Sequence, residues 1–157
     1  MKGAAAFALG VLALVNAQAG TLEDLNVAKA KWAALGAQSY SFEYILGGAV
    51  VVAPACADAT ILVRVKNGEP AEPIVTKGSR RCPVGTRGSD AIGFEVPSTV
   101  DDAFAEMARY IESPPVRAEV TAKFDGVTGV PRIYYVRKLD IDDNDEGFEI
   151  VNFRVAK

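Results

Sequence analysis

Several stretches of this chain alternate apolar and polar residues with a period of two, the pattern of strands that bury one face and wet the other. Residues 39–46 put Tyr40, Phe42, Tyr44 and Leu46 on one side and Ser39, Ser41 and Glu43 on the other. Residues 60–66 alternate around Ile61, Val63 and Val65, and Asn67-Gly68 supplies the positive-φ pair that a two-residue hairpin turn needs. Residues 74–76 are then the returning strand. Residues 116–124 set Ala118, Val120, Ala122 and Phe124 against Arg117, Glu119, Thr121 and Lys123, and a glycine-containing turn leads into a strand over 132–137. The last strand, 148–155, carries both Phe148/Ile150 and Val151/Phe153/Val155, so its inward phase shifts at a bulge or both faces are partly covered.

Two segments carry the helical spacing instead. After Thr21, a capping residue with Asp24 three positions on, Leu22, Leu25, Ala28, Trp32 and Leu35 form a stripe that Gly36 can end. A second helix opens at Ser98 or Thr99 with Asp101 and Asp102 near its positive end. It buries Val100, Phe104, Met107 and Ile111 and stops before Pro114-Pro115. Residues 77–97 show little periodicity and read as an ordered loop pinned by Cys82. The order is helix and three strands, twice over. It predicts the α+β class, an antiparallel sheet with two helices packed on one face. An internal duplication would give the same order, but no residue-level self-similarity supports one.

Residues 1–19 read as a secretory signal peptide: Lys2, an apolar run over residues 4–15, and Ala17-Gln18-Ala19 before Gly20. The apolar run is too short for a membrane span. The expected product is a soluble single domain, residues 20–157, in the periplasm or outside the cell. Removing Lys2 leaves 16 basic against 20 acidic side chains, a net charge of −4 that disfavours nucleic acid and anionic membrane as partners. Cys56 and Cys82 are the only cysteines, and export predicts a disulfide between them, worth on the order of 3 kcal/mol. A redox role would call for a Cys-x-x-Cys spacing, which is missing.

The chain contains no histidine, which removes Ser-His-Asp and Cys-His catalysis and the histidine-rich zinc sites. Asp140, Asp142, Asn144, Asp145 and Glu146 concentrate hard oxygen ligands in one connection, the chemistry of a Ca²⁺ site. The EF-hand pattern fails, because Asp145 replaces the required glycine and Val151 the bidentate glutamate. The competing reading is a solvated turn that keeps a sheet edge from pairing. Lys77, Arg80, Arg81 and Arg87 form a basic cluster around Cys82 suited to a carboxylate, a sulfated sugar or an acidic protein face. Tyr40, Tyr44, Tyr134 and Tyr135 line a groove or, as one member of each pair is expected to do, fill the core. Paired carboxylates running glycoside hydrolysis need two different environments, and nothing in the sequence signals that asymmetry.

Several of these residues together resemble an uncharacterised family of small exported bacterial domains, many of them lipoproteins, known only as a domain of unknown function. The shared features are the helix ending near Trp32, the Tyr40 and Tyr44 strand, Val63 and Val65 before Asn67-Gly68, and Phe104 in the second helix. Gly129-Val130-Pro131-Arg132-Ile133, Asp140, Asp145-Glu146-Gly147-Phe148 and Phe153 complete the set. The family often places two nearby cysteines after the Tyr-x-x-x-Tyr strand, whereas here Cys56 lies further on. The resemblance implies an exported α+β domain and brings no activity. By elimination, the chain reads as a non-catalytic binding domain for a protein or cell-surface partner. A calcium- or carbohydrate-binding protein using residues 140–147 is the alternative, and a hydrolase the third reading. No cofactor other than Ca²⁺ is implied.

Overall fold

The alternation of residues 39–46 becomes strand β1 (Tyr40–Gly47), with Tyr40, Phe42 and Tyr44 at most 5% exposed. The computed structural model describes residues 9–48, 54–140 and 145–156. Around β1 assemble β2 (Thr60–Lys66), β3 (Glu69–Pro70), β4 (Ile74–Lys77), β5 (Ala118–Phe124), β6 (Pro131–Lys138) and β7 (Glu146–Val155). The sheet runs β3-β2-β1-β7-β6-β5, with β4 also on β2, and every pairing is antiparallel. The helices are α1 (Leu9–Leu35), α2 (Ser89–Ile92) and α3 (Val100–Ile111). The class is α+β.

The hairpin at Asn67-Gly68 has φ of 54° and 83°, and it returns in two pieces. Pro70 and Pro73 cannot donate to the ladder, so β3 and β4 are separate short strands along one edge. In β7, Asn152 at φ 52° is the extra residue of a bulge. Phe148 and Ile150 point inward before it, and Phe153 turns inward after it to pack its ring 5.9 Å from Trp32 and 5.8 Å from Tyr40.

Thr99 caps α3: its hydroxyl accepts from Asp102 N at 3.0 Å, and Asp102 Oδ2 accepts from Thr99 N at 3.0 Å. The buried stripe is wider than the sequence suggested, since Ala103 and Tyr110 join Val100, Phe104, Met107 and Ile111. Helix α1 has no start at Thr21. It runs on from Leu9, because residues 9–20 also favour helix. It buries Leu25, Ala28 and Trp32, while Leu35 in its last turn is 41% exposed. Within the expected loop, α2 and the pairing of Arg87 with Ile74 add order that periodicity could not reveal. Ile92 and Val96 are buried there, and Phe94 packs 6.3 Å from Tyr44.

The expected repeat of a helix and three strands is not the order found, because four strands and α2 lie between α1 and α3 and three strands follow α3. The strand after α1 lies at the sheet centre, whereas β5, after α3, lies at its edge. Alternating antiparallel neighbours make β1 and β5 run in opposite directions, yet α1 and α3 share one core face. No rotation superposes the halves.

The disulfide Cys56–Cys82 is formed and both residues are 1% exposed. At the other end, the β5–β6 turn docks on α1. Asp125 Oδ1 accepts from the backbone N–H groups of Val127 and Thr128, and Lys31 Nζ donates to Gly126 O at 2.8 Å. Gly129, at φ 78°, lies against the Ala28 carbonyl, so a Cβ there would collide with helix backbone. Gly129→Ala is therefore expected to cost about 1–3 kcal/mol in urea unfolding. A variant as stable as the parent would refute this account of the α1 contact.

Candidate functional site

Two regions carry chemistry, and only one was legible beforehand. The first is the turn that ends in Cys82. Ser79 N donates to Cys82 O at 2.9 Å and Cys82 N donates to Ser79 O at 3.2 Å, so Arg80 and Arg81 are the two tip residues of a closed turn. The disulfide ties that turn to Cys56, and both arginines are exposed. Lys77 lies opposite Thr60 in the ladder and Arg87 opposite Ile74, which itself faces Leu62. Directly opposed residues share a face, so both cations stand on the side away from buried Ile61 and Val63. They flank the β4 edge about 10 Å apart along the strand. The four cations thus line one sheet edge without forming a single cluster. Among the described residues, none of them pairs with a carboxylate.

The acidic connection behaves differently. Asp142 and Asn144 lie outside the described residues. The other members are engaged separately: Asp140 meets Arg117 at 3.8 Å, Asp145 Oδ2 accepts from Tyr135 at 2.6 Å, and Glu146 meets Lys138 at 3.3 Å. Glu146 belongs to β7 and lies opposite Val136, which places its side chain on the core face. Among the described residues, no group of three or more acidic, cysteine or histidine side chains is arranged to hold a metal ion.

The second region was missed. Under α3, at the end of the sheet where β6 finishes and β7 begins, Glu106 turns toward the core face. Burial raises its pKa to about 7, assisted by the charge of Glu146 and opposed by Arg109. Around it stand Tyr44 and Tyr134, whose phenols are pushed upward by burial and then by Glu106. The Tyr134 hydroxyl is buried without a hydrogen-bond partner. Tyr110 lies beside Glu146 and Lys138, with the Lys138 ammonium 5.8 Å from its ring centre. Burial works against the Lys138 charge, but Tyr110 and Glu146 outweigh it and hold its pKa above the usual lysine range. Here the structure corrects the sequence reading of the carboxylates, because Glu106 and Glu146 do occupy different environments.

A cleft of about 480 Å³ opens over Glu106, lined also by Glu95, Ser98, Asp102 and Arg109. Glu146 is not on its wall. Glu106 was overlooked because it sits between core and solvent faces of α3. The available hint was its spacing, three residues after Ala103 and four before Tyr110. Of the four tyrosines, Tyr40, Tyr44 and Tyr134 are core and Tyr135 faces outward to Asp145. No family model, curated protein or solved structure matches this chain.

Two measurements follow from this geometry. Because the described members of the acidic connection already have protein partners, millimolar Ca²⁺ after EDTA is expected to leave the melting temperature unchanged. A rise of several degrees, abolished in Asp142→Ala, would restore the ion site. For Glu106, the folded pKa lies above the ordinary 4.5, so the folded state holds its proton more tightly. Its stabilising contribution is complete below about pH 4.5 and is lost as pH rises through about 7. Glu106→Gln should remove that part of the pH dependence and exceed the parent at pH 8 by on the order of 1–3 kcal/mol. Parallel stability profiles for the two proteins would contradict the desolvated placement of Glu106.

Proposed function

We propose that this chain is an exported, non-catalytic interaction domain that docks an acidic protein surface through the Arg80-Arg81 turn and the cationic β4 edge. The observation that carries the reading is the closed Ser79–Cys82 turn with two arginines at its tip, pinned by a buried disulfide and unpaired with any described carboxylate. Arginine presents a planar fork of donors to carboxylates, and a turn held in place loses little conformational freedom on binding. The chain as a whole is acidic, with 20 acidic against 17 basic side chains, so this cationic edge gives an approaching partner an orientation.

Removal of residues 1–19 and an oxidising destination fit the same picture. The disulfide supports the compartment, and among the described residues no helix is long and apolar enough to cross a membrane. The residues on which the resemblance to exported domains of unknown function rests have structural roles: Asn67-Gly68 turns a hairpin, Gly129 meets α1, and Phe104 packs 6.3 Å from Phe124.

The test is affinity capture on the immobilised oxidised domain from its native extracellular fraction, alongside the Arg80→Ala/Arg81→Ala variant. A partner retained at low salt, released at high salt and lost from the variant is the expected result. Identical capture by both proteins, or nothing above background, would rule the reading out.

A further inference from the structure

We infer that β5 is the interface of a symmetric dimer, its free edge pairing antiparallel with the β5 edge of a second copy of this chain in a register centred on Thr121. The interface lies at the opposite end of the sheet from the cationic β4 edge and does not depend on that reading.

The first observation is an unprotected edge. Strand β5 ends the strand order and is seven residues long without proline or glycine, whereas β3 and β4 at the other end are two and four residues long and interrupted by Pro70 and Pro73. Ala118 lies opposite Lys138, and one step earlier Leu139 N donates to Arg117 O at 3.0 Å. Bonded and non-bonded pairs alternate along an antiparallel ladder, so Arg117, Glu119, Thr121 and Lys123 turn their backbone groups to β6. Ala118, Val120 and Ala122 turn theirs outward. Among the described residues no other strand pairs with them, and such a row is a template for a further strand.

The second observation is charge. Outward-turned residues can pair only with outward-turned residues of the second copy, so the available registers differ by steps of two. Centred on Thr121, Val120 meets Ala122 of the second copy and Glu119 meets its Lys123, twice over by symmetry. Centred on Val120, the register sets Arg117 against Lys123, and centred on Ala122 it sets Glu119 against Asp125, like charges in both cases. Glu119 already meets Arg137 at 3.8 Å, while Lys123 pairs with no carboxylate among the described residues. The dimer gives Lys123 its counter-charge and places Glu119 between two cations.

The third observation is apolar surface along the same edge. Ala118, Val120, Ala122 and Phe124 are only partly buried. A groove of about 610 Å³ runs beside Ala118 and Val120, walled by Ile111, Pro114, Val116 and Leu139, and another beside Ala122 and Phe124 reaches α1 at Val27. Leu139 is 44% and Val27 48% exposed. The two-fold axis of side-by-side antiparallel strands stands perpendicular to the sheet, so both copies keep their helices on one side. The groove at the Ala118 end of one copy then meets the groove at the Phe124 end of the other, which makes the apolar surface self-complementary.

The test is sedimentation velocity of the purified oxidised protein from roughly 1 to 100 µM, with a reversible monomer–dimer equilibrium as the expected result. Glu119→Lys and Lys123→Glu change exposed side chains, and each sets like charges opposite one another twice, so each alone should raise the dissociation constant about tenfold or more. An equimolar mixture of the two variants restores both opposite-charge pairs and should dimerise again. Ala122→Pro removes an outward N–H, leaves the β6 ladder intact, and should give a folded monomer. A parent that stays monomeric at every concentration would overturn the proposal and leave the edge to a strand of another protein. A dimer that neither charge variant weakens, or a mixture that fails to recover it, would overturn it as well.

Discussion

The pairing of the first strand with the last holds this fold together. Tyr40 lies opposite Val155 and Gly47 opposite Gly147, so residues about a hundred positions apart form the centre of the sheet. Neither half of the chain can complete its ladder without the other. The bulge at Asn152 lets the pairing continue while Phe153 changes face, and that change completes the aromatic cluster with Trp32 and Tyr40. The Tyr40 hydroxyl then accepts from Val100 N at 3.2 Å, and Trp32 Nε1 donates to Asp101 Oδ1 at 3.2 Å. Both bonds tie the start of α3 to the central strand and to α1. The position of α3 over the sheet thus follows from the strand register.

Once α3 is placed, its flank determines where polar groups are trapped. Glu106 projects between the buried stripe and the solvent face, over a sheet end that also receives Glu146, Lys138 and two tyrosines. Ion pairing satisfies Glu146, while burial keeps Glu106 partly protonated near neutral pH. Such an arrangement lowers stability above neutrality, which a purely structural position would avoid with an apolar residue.

The opposite edge solves a different problem. Strands β3 and β4 are short and interrupted by proline, and the cations on β4 and the adjoining turn discourage edge-to-edge pairing. The same features leave a rigid cationic rim on an otherwise acidic molecule. Burial of Cys56 and Cys82 beneath it means that the turn is held from inside, so its arginines can remain fully in solvent.

Local pattern was enough to read much of this from the sequence. The period-two runs named the inward faces of β1 and β2, Asn67-Gly68 named the hairpin, Thr99 with Asp102 named the start of α3, and two cysteines in a chain read as exported named the disulfide. Each is decided by neighbours a few residues apart or by the absence of alternatives. The tertiary structure alone decided that β1 meets β7, that the expected helix-and-three-strand repeat is not the order found, and that α1 carries no boundary at Thr21. It also separated Asp140, Asp145 and Glu146, which sequence proximity had grouped, and brought Glu106 into the field of Glu146 from 40 positions away. Burial and electrostatic coupling depend on distances in space, and a one-dimensional pattern carries those only as far as one turn of helix or one step of strand.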